Sequence, residues 1–351
     1  MNNPFRLEIK NVRVDFPGKT AVREINLQLQ DGRIGCLLGP SGCGKSTLLR
    51  VIAGFQQPSS GELLLHGKRV SSASQMLAPE KRNVGMVFQD FALFPHLDVA
   101  GNVAFGLKGL NRIERAQRVI EMLELIGLET LAKRYPHQLS GGQQQRIALA
   151  RALAPKPEIL LLDEPFSSLD VELREQLAGE VRGILKTLGT TAILVTHDQM
   201  EAFALADEIG VMHDGRLHQW DTPQNIYHHP ADRVVAGFIG QGVMLKGSLN
   251  QEGEIDTAIG RLSCWPGDNI ATGDLVEVLI RPDDIIHDDD SPLQAKVVER
   301  AFRGAEYLYT LEMPSGDRLL CLSSSHHDHK VGEAVGFRLD TAKVPVFPVK
   351  D

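Results

Sequence analysis

The chain has 351 residues, of which 42% are hydrophobic and 23% charged. This length favours two domains, and the composition is that of an ordinary packed protein, which excludes disordered, collagenous and coiled-coil chains. The 37 Lys and Arg against 45 Asp and Glu give a formal net charge of −8, which disfavours nonspecific nucleic-acid binding because no global positive field would hold a polyphosphate backbone.

The cysteines and the apolar runs indicate in which cellular compartment the protein works. The four cysteines are widely separated and form no CxxC pair, which is typical of a reduced compartment. The first ten residues alternate apolar and polar side chains and lack the apolar core of a signal peptide, so we expect no export. No apolar run approaches the ~20 residues that span a bilayer, so we expect any membrane role to be peripheral.

The first predicted elements form an α/β core. Residues alternate at period two from Phe5 to Val14 and from Ile25 to Leu29, which predicts an antiparallel sheet. The apolar run Ile34–Leu38 leads into a glycine-rich turn, and the spacing over Lys45–Ala53 predicts a helix. Further buried strands are predicted at Val84–Phe88, Ile159–Leu162, Ala192–Val195 and Ile209–Met212. Because long helical stretches separate these strands, we expect them to lie parallel.

A helical insertion and a second domain complete the predicted organisation. Residues of about 90–155 predict a helical subdomain, with one apolar face formed by Ile113, Ala116, Val119, Ile120 and Leu123. After Pro230 we expect no further helices, and short β-rich segments follow at Leu275–Ile280, Ala295–Val298 and Leu319–Leu322. The predicted domains are residues 1–236 and an all-β domain of residues 237–351.

The strongest motif is the P-loop pattern GxxxxGK[ST] at Gly39–Ser46, between a predicted strand and a predicted helix. Its glycines let backbone N–H groups and the helix N-terminus point at phosphate oxygens. We expect Lys45 to reach the β and γ phosphates and the Ser46 hydroxyl to bind Mg²⁺. The alternative, a glycine-rich turn without a ligand, is disfavoured by the flanking strand and helix.

Two acids end the predicted strand Ile159–Leu162, at the carboxyl edge of the sheet where ligands bind. Asp163 suits a magnesium shell, and Glu164 is placed to activate a water for in-line attack on the γ phosphate. Alone, such a pair could equally be the acidic start of a helix. The P-loop upstream favours the catalytic interpretation.

A second phosphate-binding device follows in the helical insertion. The run Leu139–Gln143 places Ser140 and two glycines at a predicted helix start. Since one P-loop is sufficient for one nucleotide, we expect this segment to act on the ATP of another subunit. The alternative is that Ser140 is simply a helix N-cap.

With these motifs in this order, residues 5–235 resemble an ATP-binding cassette (ABC) ATPase, whose defining signature is the pentapeptide Leu139–Gln143. The resemblance implies a P-loop NTPase fold with a mixed or parallel sheet core, an antiparallel β subdomain and a helical subdomain, followed by a small all-β, OB-like domain. It implies ATP and Mg²⁺ as cofactors. It further implies a homodimer in which two chains pack head to tail, with ATP between the P-loop of one and the signature of the other.

The resemblance also implies site residues. The implied ATP-binding set is Phe16, Gly39, Ser41, Gly42, Cys43, Gly44, Lys45, Ser46, Thr47, Ser140, Gly141, Gly142 and Gln143. The implied catalytic set is Glu164, His197 and Gln89, and the implied Mg²⁺ ligands are Ser46, Gln89 and Asp163. Phe16 would stack on adenine and His197 would hold the γ phosphate, whereas a lone Phe is more often core and a lone His more often a satisfied strand-end residue. Ser167–Asp170 resembles the loop that contacts the partner subunit.

The same resemblance suggests the kind of transporter. The segment from Gln89 to Val103 would contact transmembrane permease subunits, although its aromatics could also form a satellite core. Phe238–Gly242 and Ile280–Asp283 are similar to segments of importer ATPases that carry a C-terminal β-barrel, most of all the ferric-iron class. The histidine clusters His326–His329 and His287–Asp290 are interpreted as solvated loops, with metal sensing or self-contact by the second domain as a hypothesis.

We therefore expect an ATP-hydrolysing, energy-coupling subunit of a bacterial importer, peripheral at the cytoplasmic face of the inner membrane and served indirectly by a periplasmic binding protein. Ferric iron is the expected cargo; polyamine, sulfate, thiamine and sugar are alternatives. Two other functions stay open at this point: a non-transport ABC ATPase of DNA repair or translation, and an ATP-gated regulatory clamp that does not turn over.

Overall fold

The computed structural model describes residues 5–265, 270–341 and 343–349, in two compact units that divide the chain between Ile226 and Tyr227. The domain boundary expected from the sequence, between residues 236 and 237, stays a prediction.

The first unit alternates strands and helices. In chain order its strands are β1 (Phe5–Phe16), β2 (Lys19–Gln30), β3 (Ile34–Leu38), β4 (Ser60–Leu65), β5 (Lys68–Ser72), β6 (Val84–Val87), β7 (Ile159–Asp163), β8 (Thr191–Thr196), β9 (Glu208–His213) and β10 (Arg216–Asp221). Its helices are α1 (Lys45–Ala53), α2 (Val99–Ala104), α3 (Arg112–Leu125), α4 (Gly141–Leu153), α5 (Val171–Leu188) and α6 (Gln199–Leu205), and α7 (Pro223–His228) runs across the boundary. The predicted strand Val84–Phe88 is one residue too long, because Phe88 already leaves the sheet and is exposed.

Two sheets build this unit. Strands β2, β1, β4 and β5 form an antiparallel sheet in that order, and a six-stranded sheet has the order β10-β9-β3-β8-β7-β6. In the six-stranded sheet β3, β6, β7, β8 and β9 run parallel, and β10 pairs antiparallel with β9. The antiparallel opening sheet and the parallel core predicted from the sequence are both confirmed.

The parallel strands are mostly apolar because both of their faces are covered. Every residue of β3 and β8 is buried, and one hydrophobic cluster joins side chains of β1, β2, β3, β7, β8 and α1. Covered strands of this kind need continuous apolar runs rather than alternation. The register pairs Leu38 with Thr196 and Asp163 with Val195, so the carboxyl ends of β3, β7 and β8 meet at one edge.

The predicted helical insertion lies between β6 and β7 as α2, α3 and α4. Helix α3 begins with a capping box between Asn111 and Glu114. The predicted apolar face of α3 is only half covered: Val119 and Leu123 are buried, whereas Ile113 is 81% exposed. An apolar surface is therefore left open on this helix.

Strands form most of the second unit. They are β11 (Val243–Leu249), β12 (Glu254–Thr257), β13 (Gly260–Ser263), β14 (Leu275–Ile280), β15 (Ile285–His287), β16 (Gln294–Phe302), β17 (Glu306–Glu312), β18 (Arg318–Ser324), β19 (Ala334–Leu339) and β20 (Val346–Pro348). They form two five-stranded antiparallel sheets, β13-β12-β11-β14-β20 and β15-β19-β16-β17-β18, around one hydrophobic core. This nearly closed arrangement confirms the predicted all-β barrel.

The expectation that helices end after Pro230 is wrong. Helix α8 (Arg233–Phe238) follows it, and the Asp232 side chain caps its start by accepting a hydrogen bond from the Val235 N–H at 2.9 Å. Six residues are fewer than two turns, so no apolar periodicity could announce this helix.

The histidine clusters of the second unit are partly packed. His326 and His327 are exposed, but His329 lies against His287 with ring centroids 4.7 Å apart. Across the ranges that the structure describes, no group of three His, Cys, Asp or Glu side chains is arranged to hold a metal ion. Within the same ranges, no helix has both the length and the apolar character needed to cross a bilayer.

Candidate active site

A glycine-rich loop connects the end of β3 to the start of α1. Its backbone takes positive φ angles of 79° at Gly42 and 108° at Gly44, which favour glycine. A Cβ on Gly39 would lie 2.1 Å from the Met212 carbonyl oxygen, and one on Gly44 would lie 2.3 Å from the Ala21 carbonyl oxygen. The loop is therefore a narrow cradle that only glycine can line at these positions, and it leads directly into the N-terminus of α1.

Lys45 points into this cradle. Its side chain is almost fully buried, and its Nζ donates hydrogen bonds to the carbonyl oxygens of Gly39 at 2.6 Å and Pro40 at 3.0 Å. Cys43 is also buried, with its Sγ 3.9 Å from the same ammonium. A shielded positive charge at a helix N-terminus is a strong site for phosphate.

Ser46 joins the loop to the end of β7. Its hydroxyl donates to Asp163 Oδ1 at 3.1 Å. Burial raises the pKa of the Asp163 carboxyl above its usual range, and the hydrogen bond from Ser46 acts in the opposite direction. A serine hydroxyl and a carboxylate that meet beside a phosphate cradle are oxygen ligands of the kind that Mg²⁺ prefers, so this pair fits the ion.

Glu164 and His197 face each other at the same edge. The His197 Nδ1 lies 3.5 Å from Glu164 Oε2, with side-chain exposures of 51% and 23%. Glu164 has a φ of 45°, a conformation that costs a non-glycine residue about 1–3 kcal/mol, and its N–H donates to the Val195 carbonyl oxygen at 2.9 Å. This strained position immediately follows β7, and its carboxylate lies beside the His197 ring.

One cavity of about 290 Å³ contains much of the predicted nucleotide set. Its lining residues are Phe16, Lys19, Ala21, Ser41, Gly42, Gly44, Lys45, Ser46, Thr47 and Glu164. Phe16 is 43% exposed, so it is not the core residue that the alternative interpretation allowed. Lys19 lines the cavity but was missed by the sequence analysis, because it stands outside every motif.

Several predicted site residues lie apart from this cavity. Gln89 follows β6 on the surface, and it is not among the lining residues that the structure describes. Ser140 is the N-cap of α4: its Oγ accepts from the Gln143 N–H at 3.3 Å, and its own N–H donates to Gln143 Oε1 at 3.0 Å. Gly141 and Gly142 form the first turn of α4 and lie close to side chains of Leu169 and Leu173. None of the four signature residues Ser140–Gln143 is among the residues that line this cavity.

Two arginines support the site and escaped the sequence analysis. Arg82 is 3% exposed and donates to the carbonyl oxygens of Val51 at 2.8 Å and Ile52 at 3.0 Å, at the C-terminal end of α1. Burial lowers the pKa of Arg82 to about 10. Arg174 binds Asp198, beside His197, at 2.9 Å. Neither belongs to a local motif, because the partners of each come from distant segments.

Comparisons with known proteins match both parts of the chain. A family profile described as ABC transporter matches residues 22–167, and one described as TOBE domain matches residues 278–347. The chain is 42% identical over 346 residues to the Fe(3+) ions import ATP-binding protein FbpC of Streptomyces coelicolor, covering 98% of this chain and 97% of that protein. It is also 42% identical over 351 residues to the spermidine/putrescine import ATP-binding protein PotA of Rubrobacter xylanophilus, covering 96% and 92% of the two. Among solved structures it is similar to a dimeric post-hydrolysis state of the ATP-binding cassette MJ0796 bound to ADP and Pi, with a TM-score of 0.54 and 33% identity over 62% of this chain and 98% of that one.

Proposed function

This chain belongs to the ABC transporter ATP-binding proteins and is an ATPase of the importer type, and we propose that it drives uptake of ferric iron as one of two identical motor subunits. The observation that carries the ATPase mechanism is the meeting of Lys45, the Ser46–Asp163 pair and the Glu164–His197 pair at the carboxyl edge of β3, β7 and β8. Ligands of open α/β sheets bind at this edge.

Each of these groups has a role in hydrolysis. Lys45 and the loop N–H groups neutralise the β and γ phosphates of ATP, and Phe16 stacks on the adenine. Glu164 takes the proton of the attacking water, and His197 orients the γ phosphate. Ser46 and Asp163 would hold Mg²⁺, which would supply charge neutralisation at the phosphates, and Gln89 stays a predicted third ligand.

That the signature residues do not line the cavity around the P-loop supports a composite site shared by two chains. At the start of α4, Ser140 and Gly141 are exposed, Gln143 is half-buried and Gly142 is buried, and the backbone N–H groups of this helix end can meet an anion. In the proposed dimer this helix end contacts the γ phosphate bound to the P-loop of the second copy. ATP then holds the two chains together, and hydrolysis releases them.

An open apolar groove supports a permease contact. A cavity of about 670 Å³ lies between the end of the segment Gln89–Val103 and helix α3; its lining residues include Ala100, Gly101, Ala104, Val119 and Ile120. Ile120 is 49% exposed. A contiguous apolar surface of this kind marks a binding site, and we propose that a short helix of a membrane-embedded permease subunit occupies it at the cytoplasmic face of the inner membrane.

The cargo proposal has one rival. Similarity to FbpC over nearly the full length supports ferric iron, delivered by a periplasmic binding protein. Similarity to PotA at the same identity supports spermidine or putrescine equally well at the level of the motor. The motor does not need to touch its cargo, so its own residues do not separate the two.

The ATPase proposal is tested by Lys45→Ala. We expect loss of ATP binding and hydrolysis, because the buried ammonium that faces the phosphates is removed. Lys133→Ala, a change of an exposed lysine of the same domain, is the matched control and should leave both properties intact. Normal hydrolysis by Lys45→Ala would contradict the assigned cradle.

The cargo proposal is tested by uptake of labelled ferric iron, spermidine and putrescine in cells in which this chain is the sole copy of the motor. We expect iron uptake that Lys45→Ala abolishes and Lys133→Ala retains. Polyamine uptake with this dependence, without iron uptake, would replace ferric iron by the rival cargo.

A further inference from the structure

Arg174 connects two loops of the active site from the first turn of α5. Its Nη1 donates to Asp198 Oδ2 at 2.9 Å, and its Nη2 donates to the Leu169 carbonyl oxygen at 3.1 Å. The first contact reaches the residue after His197, and the second reaches the loop that follows Glu164. With the Arg174 side chain 20% exposed, these charge-assisted hydrogen bonds are largely shielded from water.

A buried carboxylate fixes the third side of the guanidinium. Glu201 is 4% exposed, accepts a hydrogen bond from Thr196 Oγ1 at 2.5 Å, and lies 3.5 Å from Arg174 Nε. That Nε is buried and makes no hydrogen bond to any described residue, so the contact is an ion pair. Burial raises the pKa of the Glu201 carboxyl, and the hydrogen bond from Thr196 and the charge of Arg174 act in the opposite direction. Arg174 and Glu201 therefore pair beside the end of β8, at a distance of 3.5 Å.

A continuous chain of contacts and short chain segments connects Glu164 with His197 through Arg174. The Glu164 carbonyl oxygen accepts from Ser167 Oγ at 2.9 Å, and the loop continues to Leu169, which Arg174 holds. Beyond the Arg174–Asp198 contact, His197 Nδ1 returns to within 3.5 Å of Glu164 Oε2. A shift of the loop therefore moves the support of His197.

The same loop also contacts the signature helix of its own chain. A Cβ on Gly141 would lie 3.1 Å from Leu169 Cδ2, so the leucine packs on the first turn of α4. The position of Leu169 thus depends on the helix whose N-terminus faces the second copy in the proposed dimer.

We propose that Arg174 is a positioning residue that couples the loop Ser167–Asp170 to the orientation of His197. The inference rests on the proposed function, in which this loop and the signature meet the second copy and His197 meets the γ phosphate. When the loop is seated against the second copy, Arg174 holds His197 in its hydrolytic orientation; when the loop moves, Arg174 withdraws that support. Hydrolysis is thereby confined to the closed dimer.

The first test compares two arginines of one helix. Arg174→Ala should lower kcat by about 10- to 100-fold, because small displacements of a positioned group cost rates of this size, with KM for ATP changed less than about threefold. Arg174→Lys should recover part of kcat, because lysine keeps the positive charge but lacks the two guanidinium N–H groups that reach Asp198 and Leu169 together. Arg182→Ala is the matched control, since Arg182 links α5 to the Leu205 carbonyl oxygen and to Asp207 at 2.9 Å, away from His197. Arg182→Ala should leave kcat unchanged. An equal loss of kcat in both alanine variants would contradict the positioning role and show that Arg174 only stabilises the fold.

The second test places Arg174→Ala in a His197→Ala background and measures single-turnover hydrolysis with excess protein. Because Arg174 acts through His197, we expect no further loss in the double variant. A multiplicative loss would overturn the proposal. If His197→Ala alone hydrolyses normally, the proposed role of His197 in the mechanism fails instead. A second variant is available if Arg174→Ala does not fold. Asp198→Asn keeps a side chain that can cap the helix but removes the carboxylate that Arg174 binds, so it should show the same loss of kcat.

Discussion

Replacing Glu164 by Gln removes a proton acceptor while leaving the site otherwise intact. A general base contributes about 10²- to 10⁴-fold to a rate, and each tenfold corresponds to about 1.36 kcal/mol, so the barrier to hydrolysis should rise by about 2.7–5.4 kcal/mol. Glutamine has the same length and keeps the hydrogen bond from the Glu164 N–H to the Val195 carbonyl oxygen, 2.9 Å long. The contact with His197 is 3.5 Å long and half exposed, so its loss should change the free energy of unfolding by no more than about 1 kcal/mol.

The assay is single-turnover phosphate release, with ATP binding and thermal unfolding measured on the same sample. We expect a rate lowered at least 100-fold, unchanged ATP binding and an unchanged melting temperature. Glu175→Gln, an exposed residue of α5, is the control for loss of one negative charge and should hydrolyse ATP normally. A Glu164→Gln rate within about threefold of the native rate would refute the assignment of Glu164 as the base.

Three further predictions concern packing. Gly44→Ala should abolish ATP binding, because its Cβ would lie 2.3 Å from a β2 carbonyl oxygen. Gly127→Ala should cost only about 1–2 kcal/mol of stability, because among the described residues, chain neighbours aside, no heavy atom lies within 4 Å of its Cβ and only the φ of 66° is unfavourable. Arg82→Met should lower the free energy of unfolding by about 3 kcal/mol in urea titration, because the buried carbonyl groups at the end of α1 lose their donor. Burial raises the pKa of Cys321 to about 11, so at pH 8 only about 0.1% of this thiol is thiolate, and alkylation should modify Cys264 well before Cys321.

Each of these outcomes can be contradicted. Equal ATP binding by the Gly44 and Gly127 variants would show that the loop tolerates a side chain. An Arg82→Met protein as stable as the native one would mean that water replaces the arginine. Alkylation of Cys321 in the folded protein at the rate of a free thiol would contradict its burial. For Cys321 the direction of the pH dependence is fixed by the raised pKa: the thiol stays protonated, and therefore unreactive, until the pH approaches about 11.

How far the sequence predicts the site depends on how local each feature is. The P-loop could be located because its glycines, Lys45 and Ser46 are contiguous and their spacing alone defines the cradle. Asp163 could be placed because it ends a buried strand, and parallel strands bring their carboxyl ends to one edge. That argument uses only chain order and strand direction, whereas His197 was identified by the resemblance to the family.

The features that could not be predicted from the sequence depend on contacts between distant segments of the chain. Arg82 reaches carbonyl groups 30 and 31 residues away, and Arg174 reaches Asp198, 24 residues away. No periodicity encodes such contacts. The meeting of His287 with His329 likewise depends on how β15 and the loop after β18 are brought together by the barrel. Sequence patterns predict elements and edges, whereas the supporting contacts follow only from the assembled fold.

The composite site is tested most directly by two mixed dimers purified with different tags. The first combines a Lys45→Ala chain with a Ser140→Arg chain, and the second combines a chain carrying both changes with a native chain. If each ATP lies between the P-loop of one copy and the signature of the other, the first dimer keeps one intact site and hydrolyses ATP in a single turnover, while the second has none and does not. Hydrolysis by the second dimer and not by the first would contradict the shared site.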